Sequence, residues 1–357
     1  MIVKNEEHVI ERSLQSILPF VDTWCIVDTG STDATMEIIR RVTAAAGKEG
    51  KLYERPWVNF GHTRSEALAL ARPLADWIYM MDADDITHFP EVPKLDSSLK
   101  GYTIRVQISS LNTYRTHFFN SAYPWVYVGA LHEYPDILGD TITSQALPST
   151  YWIDGRCEGA RSKNPKKFEE DALLLEQDIA ASEKESKPLD PRSVFYLAQS
   201  WRDAGQIEKA IAWYWKRATI GGWQQEIYIS IMNLVRLSTS IDDKFKYAWL
   251  SLEVMPGRLE AVHSLLQSLR EKNIWTLQAY TIGVTAASLT AVKKPGDEAL
   301  FLEPDVYLYQ FDDELAIHAF YTNHKDTCAH HSFKALQCAP AEHRARIQTN
   351  YEFSLQP

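Results

Sequence analysis

Cysteine is scarce and no apolar run is long. The four cysteines, Cys25, Cys157, Cys328 and Cys338, lie far apart with no C-x-x-C pair among 357 residues. That excludes a disulfide framework or a clustered zinc site as the organiser of the fold. A reducing setting is expected, the cytoplasm or, for a viral chain, the host cytoplasm. No stretch of about 18 apolar residues occurs, so no transmembrane helix is expected. Positive charge is also in deficit, with 37 Lys and Arg against 47 Asp and Glu and a net charge of −10. Affinity for phosphate backbones comes from clustered Lys and Arg, so a general nucleic-acid binder is disfavoured, although a local basic patch is not. The opening Met1-Ile2-Val3-Lys4-Asn5-Glu6-Glu7 lacks the pattern of a secretory leader. It reads as the tail of a strand whose first residues are expected to lie upstream.

Hydrophobic residues at 45% and charged residues at 24% describe a globular chain, long enough for more than one core. The first third alternates strand and helix signals. Strand ends are expected at Met1–Lys4, Trp24–Val27, Lys51–Arg55 and Trp77–Met81. Helices are expected at Glu7–Leu18, Asp33–Ala46 (capped by Ser31 or Thr32) and Arg64–Leu70. Such alternation argues for a mostly parallel sheet with helices on its faces. After Asp85 the pattern turns to alternating strands at Tyr102–Ile108 and Thr113–Phe119, with a further strand and loop over Trp125–Tyr134, as in a mixed sheet.

From about Pro165 the chain reads as helical, beginning with Phe168–Glu183. Leu197, Ala198, Trp201, Gly205, Ala210, Tyr214 and Ala218 then fall at the offsets of a tetratricopeptide (TPR) helix pair. Further units run from Tyr228 to Pro256 and from Leu265 to Ala279, enough for a short stacked array. The expected domains are 1–164 (α/β), 165–290 (all-α, TPR-like helical repeats) and 291–357 (a helical C-terminal cap). The cap is expected to hold helices at Asp312–Thr322 and Ser332–Leu336. The Trp213-Tyr214-Trp215 cluster reads as repeat packing.

Two segments of the first domain carry chemistry. Asp82-Ala83-Asp84-Asp85 follows the Trp77–Met81 strand, and carboxylates at the C-terminal end of a central strand face the ligand crevice of an open α/β sheet. Two hard oxygen donors one residue apart suit Mg²⁺ or Mn²⁺ beside a diphosphate; read alone, the run is equally an acidic surface turn. Asp28-Thr29-Gly30-Ser31-Thr32-Asp33 is a turn and helix cap in which Asp28 is also placed to accept from a base N–H or a ribose hydroxyl.

Together with Met1–Glu7, and with Arg64, Ser65 and Ala67 on the next helix, these segments resemble the family-2 glycosyltransferases of the GT-A fold over roughly residues 1–135. Asp28-Thr29-Gly30-Ser31 stands where that family has Asp-Asp-Gly-Ser. The fold class implied is a GT-A, Rossmann-like mixed sheet followed by the helical repeats. The function implied is hexose transfer from a UDP-sugar, UDP-glucose favoured, inverting and dependent on Mn²⁺ or Mg²⁺. The resemblance places Val3, Glu6 and Asp28 beside the base, Arg64 at the base or diphosphate, Asp82 and Ala83 at the donor, and Asp84 on the metal. Gly129-Ala130-Leu131-His132-Glu133-Tyr134 resembles a His-Glu motif of the branch that carries helical repeats. It makes His132 a second metal ligand and Glu133 the general base, with Asp85 as the competing base. The plainer alternatives are a buried hydrogen-bonded His132 and a Glu133 paired with an arginine. Arg161, Ser162 and Lys166, between the two domains, would stabilise the leaving diphosphate, or else belong to a solvated linker with a helix start at Pro165. Trp125 and Tyr127 would offer an aromatic face to an acceptor, or else pack in the core.

The acceptor is left open among a glycan, a peptide and a modified nucleobase, held by the repeats, and a homodimer is a prior of such arrays. The competing function is a non-catalytic repeat scaffold with a degenerate transferase domain, against which the intact Asp82, Asp84, His132 and Glu133 stand.

Overall fold

The computed structural model of the chain describes residues 1–109, 111–292 and 299–356. Part of the expected cap, 293–298 with 357, lies outside the described residues. The chain divides into two compact units, Met1–Ala181 and Ser182–Pro357.

The first unit opens with β1 (Ile2–Val3), α1 (Ile10–Ile17), β2 (Trp24–Asp28), α2 (Thr35–Ala45), β3 (Gly50–Glu54), α3 (Phe60–Ala71) and β4 (Trp77–Tyr79). It continues with β5 (Ile86–His88), β6 (Gly101–Ile108), β7 (Leu111–Asn120), β8 (Val126–Val128), β9 (Tyr134–Asp136), β10 (Ser144–Ala146) and β11 (Trp152–Asp154), and α4 (Lys167–Lys184) runs on into the second unit. Strands β1, β2 and β3 pair in parallel. A six-stranded mixed sheet follows in the order β4-β7-β6-β11-β5, with β10 against β6. Ile10, Leu14 and Ile17 of α1 share one buried face at helical spacing and pack with Val3, Ile26, Ile39 and Met81. A second core of Val27, Ala67, Leu68, Met80, Phe119 and Trp125 seats α3. These two cores fix the end of β4, because Met80 and Met81 beyond the strand are 2% and 3% exposed.

Two local expectations change. Helix α2 starts at Thr35 after Ala34, with no side-chain cap. Ser31 instead accepts from Asn5 N–H at 2.9 Å, and Thr32 N–H donates to Asn5 Oδ1 at 2.8 Å, so the turn is tied to the chain after β1. The helix at Pro165 begins at Lys167. Trp125 is 6% exposed and packs edge-on to Phe119, and Tyr127 lies under Arg64, in keeping with the core reading of the two aromatics.

The second unit is helical: α5 (Pro191–Asp203), α6 (Ile207–Thr219), α7 (Gln224–Leu237), α8 (Ile241–Val254), α9 (Glu260–Glu271), α10 (Leu277–Val292), α11 (Phe311–Tyr321), α12 (Lys325–Cys338) and α13 (Ala341–Ser354). The first six form the three expected repeat pairs. Asp190 caps α5 by accepting from Arg192 and Ser193 N–H, with Pro191 in the first turn where no N–H is missed. Gly205, at φ +74°, makes the left-handed turn between the helices of the first pair. Ala198 and Ala210 are fully buried, as close helix approach requires, and so is Tyr214 of the aromatic cluster. No helix among the described residues is long and apolar enough to cross a membrane.

Charge is buried in this unit in matched pairs. Arg217 holds Glu226, and Arg258 holds Glu260, which also accepts from Tyr228 and Tyr307 hydroxyls. Glu314, 6% exposed beside Arg270, is less fully compensated. Burial raises its pKa from 4.5 to about 7, with Arg270 only partly opposing. The folded state therefore binds a proton there more tightly than the unfolded chain, and stability falls as pH rises from 4.5 through 7. Glu314→Gln, which resembles the protonated form, is expected to be more stable than the parent at pH 8, by no more than about 3 kcal/mol at roughly 1.4 kcal/mol per pH unit. The difference should vanish below pH 4.5. Thermal denaturation of both proteins across that range checks it, and a pH-independent difference contradicts it.

Candidate active site

The acidic run leaves the core directly after Met81. Ala83 is buried in the α1 core with Val3, whose carbonyl accepts from Thr29 N–H at 2.9 Å and from Thr29 Oγ1 at 3.1 Å. With Ala83 as an apolar anchor, the flanking carboxylates are turned away from that core. Asp82 N–H donates to Asp85 Oδ2 at 3.2 Å and Asp85 N–H to Asp82 O at 3.3 Å, so the run closes into a turn. Asp85 is 7% exposed, and burial, joined by the Asp82 and Asp84 charges, pushes its pKa well up. Asp82 behaves oppositely: desolvation works against its charge, but Arg64 outweighs it and holds the pKa below the ordinary value.

Arg64 is the hub. It pairs with Asp82 Oδ1 through Nη2, and its Nε lies 2.7 Å from Glu133 Oε1. Its guanidinium sits 5.7 Å above the Tyr127 ring. Burial opposes the charge, but the two carboxylates overcome it and the guanidinium stays firmly protonated. Glu133 is the less satisfied partner. Burial raises its pKa, and Arg64 offsets this only in part. His117 lies beneath, with Nδ1 at 2.5 Å from Met80 O, and burial lowers it to about 4, so it is neutral near pH 7.

The loop carrying His132 and Glu133 is docked on the start of α3. Phe60 N–H donates to Ala130 O at 3.1 Å, and Tyr127 N–H to Ser65 Oγ at 2.8 Å. The contact is close because Gly61 has no side chain: a methyl there would stand 2.1 Å from Gly129 O. Gly129 itself is at φ +99°. His132 is exposed, at φ +53°, and does not occupy a buried structural niche.

The segment after β11 closes the other side. Gly159 N–H donates to Asp84 Oδ2 at 2.8 Å, and Ala160 N–H to both Glu6 oxygens at 3.1 and 3.3 Å. Burial, then the Asp84 charge, keeps the Glu6 pKa raised despite the amide. These two amides were not foreseen, because backbone donors leave no side-chain signature. Arg161 pairs with Asp171 and lies 4.6 Å over the Phe60 ring, beside the His132–Glu133 loop. Burial lowers its pKa. Ser162 and Lys166 are exposed; their N–H groups donate to Gly159 O and Asn164 Oδ1, and their side chains are not drawn into the cluster. Asp28 is 1% exposed. Its Oδ1 accepts from Gly30 and Ser31 N–H at 2.9 Å each, while the buried Oδ2 has no hydrogen-bond partner among the described residues.

The Gly61–Gly129 approach is testable. Gly→Ala in a helix ordinarily gains up to about 1 kcal/mol, whereas overpacking costs about 1–3 kcal/mol. Gly61→Ala is expected to lower stability by about 1 kcal/mol or more in urea denaturation. A stabilised Gly61→Ala protein contradicts the close docking.

Residues 1–119 match the sequence profile described as Glycosyl transferase family 2. A TPR repeat-containing protein of Synechococcus elongatus is 36% identical over 86 residues, 24% of this chain and 19% of that protein. Uncharacterized glycosyltransferases of Rickettsia typhi and Rickettsia felis are 32% and 34% identical over 85 residues, 24% of this chain and 26% and 27% of theirs. The chain thus spans about a fifth to a quarter of the length of these curated relatives. Among solved structures, a TPR protein of Thermus thermophilus aligns over 53% of this chain and 91% of its own, at 15% identity and a TM-score of 0.28. S. aureus TarS 1–349 aligns over 77% of this chain and 90% of its own, at 11% identity and 0.34. The chain carries a glycosyl transferase family 2 domain in its N-terminal unit, followed by a TPR-like helical-repeat region.

Proposed function

We propose that the protein is a metal-dependent, inverting glycosyltransferase that moves a hexose from a UDP-sugar, UDP-glucose favoured, to an acceptor nucleophile. The observation that carries this reading is the Arg64 bridge between Asp82 and Glu133, which joins the acidic run to a carboxylate of raised basicity. In a single displacement the acceptor oxygen bonds to the anomeric carbon as the bond to the diphosphate breaks. Its proton passes to the Glu133 carboxylate, which burial makes a better acceptor than an exposed glutamate. Arg64 attracts that carboxylate as a close ion pair and keeps Asp82 ionised.

The side chains suit a divalent cation. Burial raises the pKa of Glu6 and Asp85, and neighbouring carboxylates add to it, Asp84 at Glu6 and Asp82 with Asp84 at Asp85. Hard oxygen donors of this kind match Mn²⁺ or Mg²⁺. Asp84 and His132 are the residues proposed to hold it. Among the described residues no three His, Cys, Asp or Glu side chains converge on one point, so further ligands would come from the sugar-nucleotide phosphates and water. When bound, such an ion neutralises charge on a departing diphosphate.

Two variants separate the roles. With UDP-glucose and Mn²⁺, the parent is expected to release UDP, slowly to water or faster to an acceptor. Asp84→Ala is expected to lose metal-dependent UDP binding in calorimetry. Glu133→Gln is expected to bind UDP within about 3-fold of the parent and to lose about 10²–10⁴-fold in turnover. Full turnover by Glu133→Gln passes the role to Asp85. A parent protein that neither binds nor cleaves the sugar nucleotide, with Asp84→Ala indistinguishable from it, overturns the reading.

A further inference from the structure

We propose that the helical-repeat unit contains a binding site for a neutral, hydroxyl-rich ligand, a carbohydrate, in a cavity of about 590 Å³ built on α9, α11, α13 and the segment ahead of α11. The proposal concerns this unit alone and holds whether or not the N-terminal unit transfers sugar. Its first support is charge balance. Four cations line the cavity, Arg236, Lys244, Arg270 and Arg346, against four carboxylates, Glu271, Glu303, Asp313 and Glu314. Each cation is already engaged. Arg236 holds both oxygens of Glu303 at 2.8 and 2.9 Å, Arg270 Nε holds Glu314 at 2.9 Å, and Arg346 holds Asp313. Lys244 Nζ donates to Val235 O at 2.6 Å. Only Glu314, raised to about 7, leaves a fractional imbalance. A phosphate or carboxylate drawing on any of the three arginines would have to break an existing ion pair, at the cost of stranding its partner, while Lys244, 5% exposed, spends its ammonium on the backbone carbonyls of Val235 and Arg236. A hydroxyl can add to the pairs as they stand, since carboxylates and guanidinium groups keep spare acceptor and donor positions.

A second support is an incomplete group. His263 lines the cavity and is 8% exposed, and its Nδ1 has no hydrogen-bond partner among the described residues. Burial holds its pKa near 4, so near pH 7 it is an uncharged ring that asks for one donor or acceptor and no counter-ion. A buried polar atom left unpaired costs about 1–3 kcal/mol, which a ligand hydroxyl recovers once the ring turns that atom toward the cavity.

The third support is composition. Every residue lining the cavity is polar or carries a hydroxyl, and no aliphatic side chain or Phe is among them. Peptides are gripped through apolar anchors in apolar grooves, which this wall lacks. It offers instead the amide of Gln267, the hydroxyl of Ser268 and the half-exposed imidazole of His343, which is backed at 5.7 Å by the buried Tyr309 ring.

The test uses the full chain, fluorescently labelled, on an array of neutral oligosaccharides printed beside phosphorylated and unphosphorylated peptides. Calorimetry with maltose, cellobiose, lactose and chitobiose follows. At least one sugar is expected to bind, and Gln267→Leu and Ser268→Ala, on the half-exposed side of α9, are expected to weaken it at least 5-fold without a change in melting temperature. Asp84→Ala should leave that affinity unchanged, which separates this site from the N-terminal one. Binding of peptides only, no binding of any sugar, sugar binding untouched by both α9 variants, or sugar binding lost with Asp84→Ala each overturns the proposal.

Discussion

One guanidinium organises the N-terminal unit's chemistry. Arg64 projects from α3 between a carboxylate at the end of β4 and another on the loop after β8, and it is the charge that lets both be ionised in a crowded site. Glu133 is largely buried and Asp82 is 45% exposed, and ion pairs in either setting add little to stability, through desolvation in the first case and solvent screening in the second. What they fix is geometry. With Arg64 hydrogen-bonded to Asp82 through Nη2 and drawn to Glu133 by charge, Nε lying 2.7 Å from Oε1 without hydrogen-bond alignment, the two carboxylates are held on either side of one cation. Gly61, Ser65 and Phe60 hold α3 against the loop, so that placement is inherited from backbone packing and not from the flexible ends of side chains.

Around this hub the carboxylates sort by environment. Asp82 is kept charged by Arg64, while Asp85, tied back into its own turn, resists ionisation. Glu133 stands between, ionisable but with raised basicity. Environments that push titratable neighbours apart mark acid–base assignments, and this sorting is the basis on which Glu133 is proposed ahead of Asp85 as the proton acceptor. The Gly159 and Ala160 amides cap Asp84 and Glu6 without adding a charge, so the excess of negative charge persists where a cation is proposed.

Much of this architecture was legible in the sequence, for physical reasons. Helices such as α1 and α5 announce themselves because Ile10, Leu14 and Ile17, or Leu197, Ala198 and Trp201, repeat at helical spacing over enough residues to show a period. Strands β5, β10 and β11 have three residues each, too few for alternation to register. Helix α13 is largely polar, with Ile347 and Ser354 its buried residues, so it has no stripe to read. At the site, the acidic run and the His132–Glu133 pair were visible as residue types, whereas their meeting through Arg64 is tertiary. The resemblance put Arg64 at the donor, and the structure shows it engaged with two carboxylates. The segment read either as a basic contact to the diphosphate or as a solvated linker folds onto Asp84 and Glu6 through its backbone, and of Arg161, Ser162 and Lys166 only Arg161 is drawn inward, toward Asp171 and Phe60.

The repeats follow the opposite strategy, pairing most of their buried charges, as Arg217 with Glu226 and Arg258 with Glu260. The N-terminal unit keeps its charges unbalanced and depends on Arg64 to arrange them. A double-mutant cycle on Arg64→Met and Glu133→Gln, read by urea denaturation of the full chain, tests that dependence without needing an acceptor. Residues sharing a buried ion pair couple by about 0.5–3 kcal/mol, whereas independent sites add within about 0.5 kcal/mol. The account predicts a coupling of at least about 1 kcal/mol. Additivity of the two substitutions would contradict it.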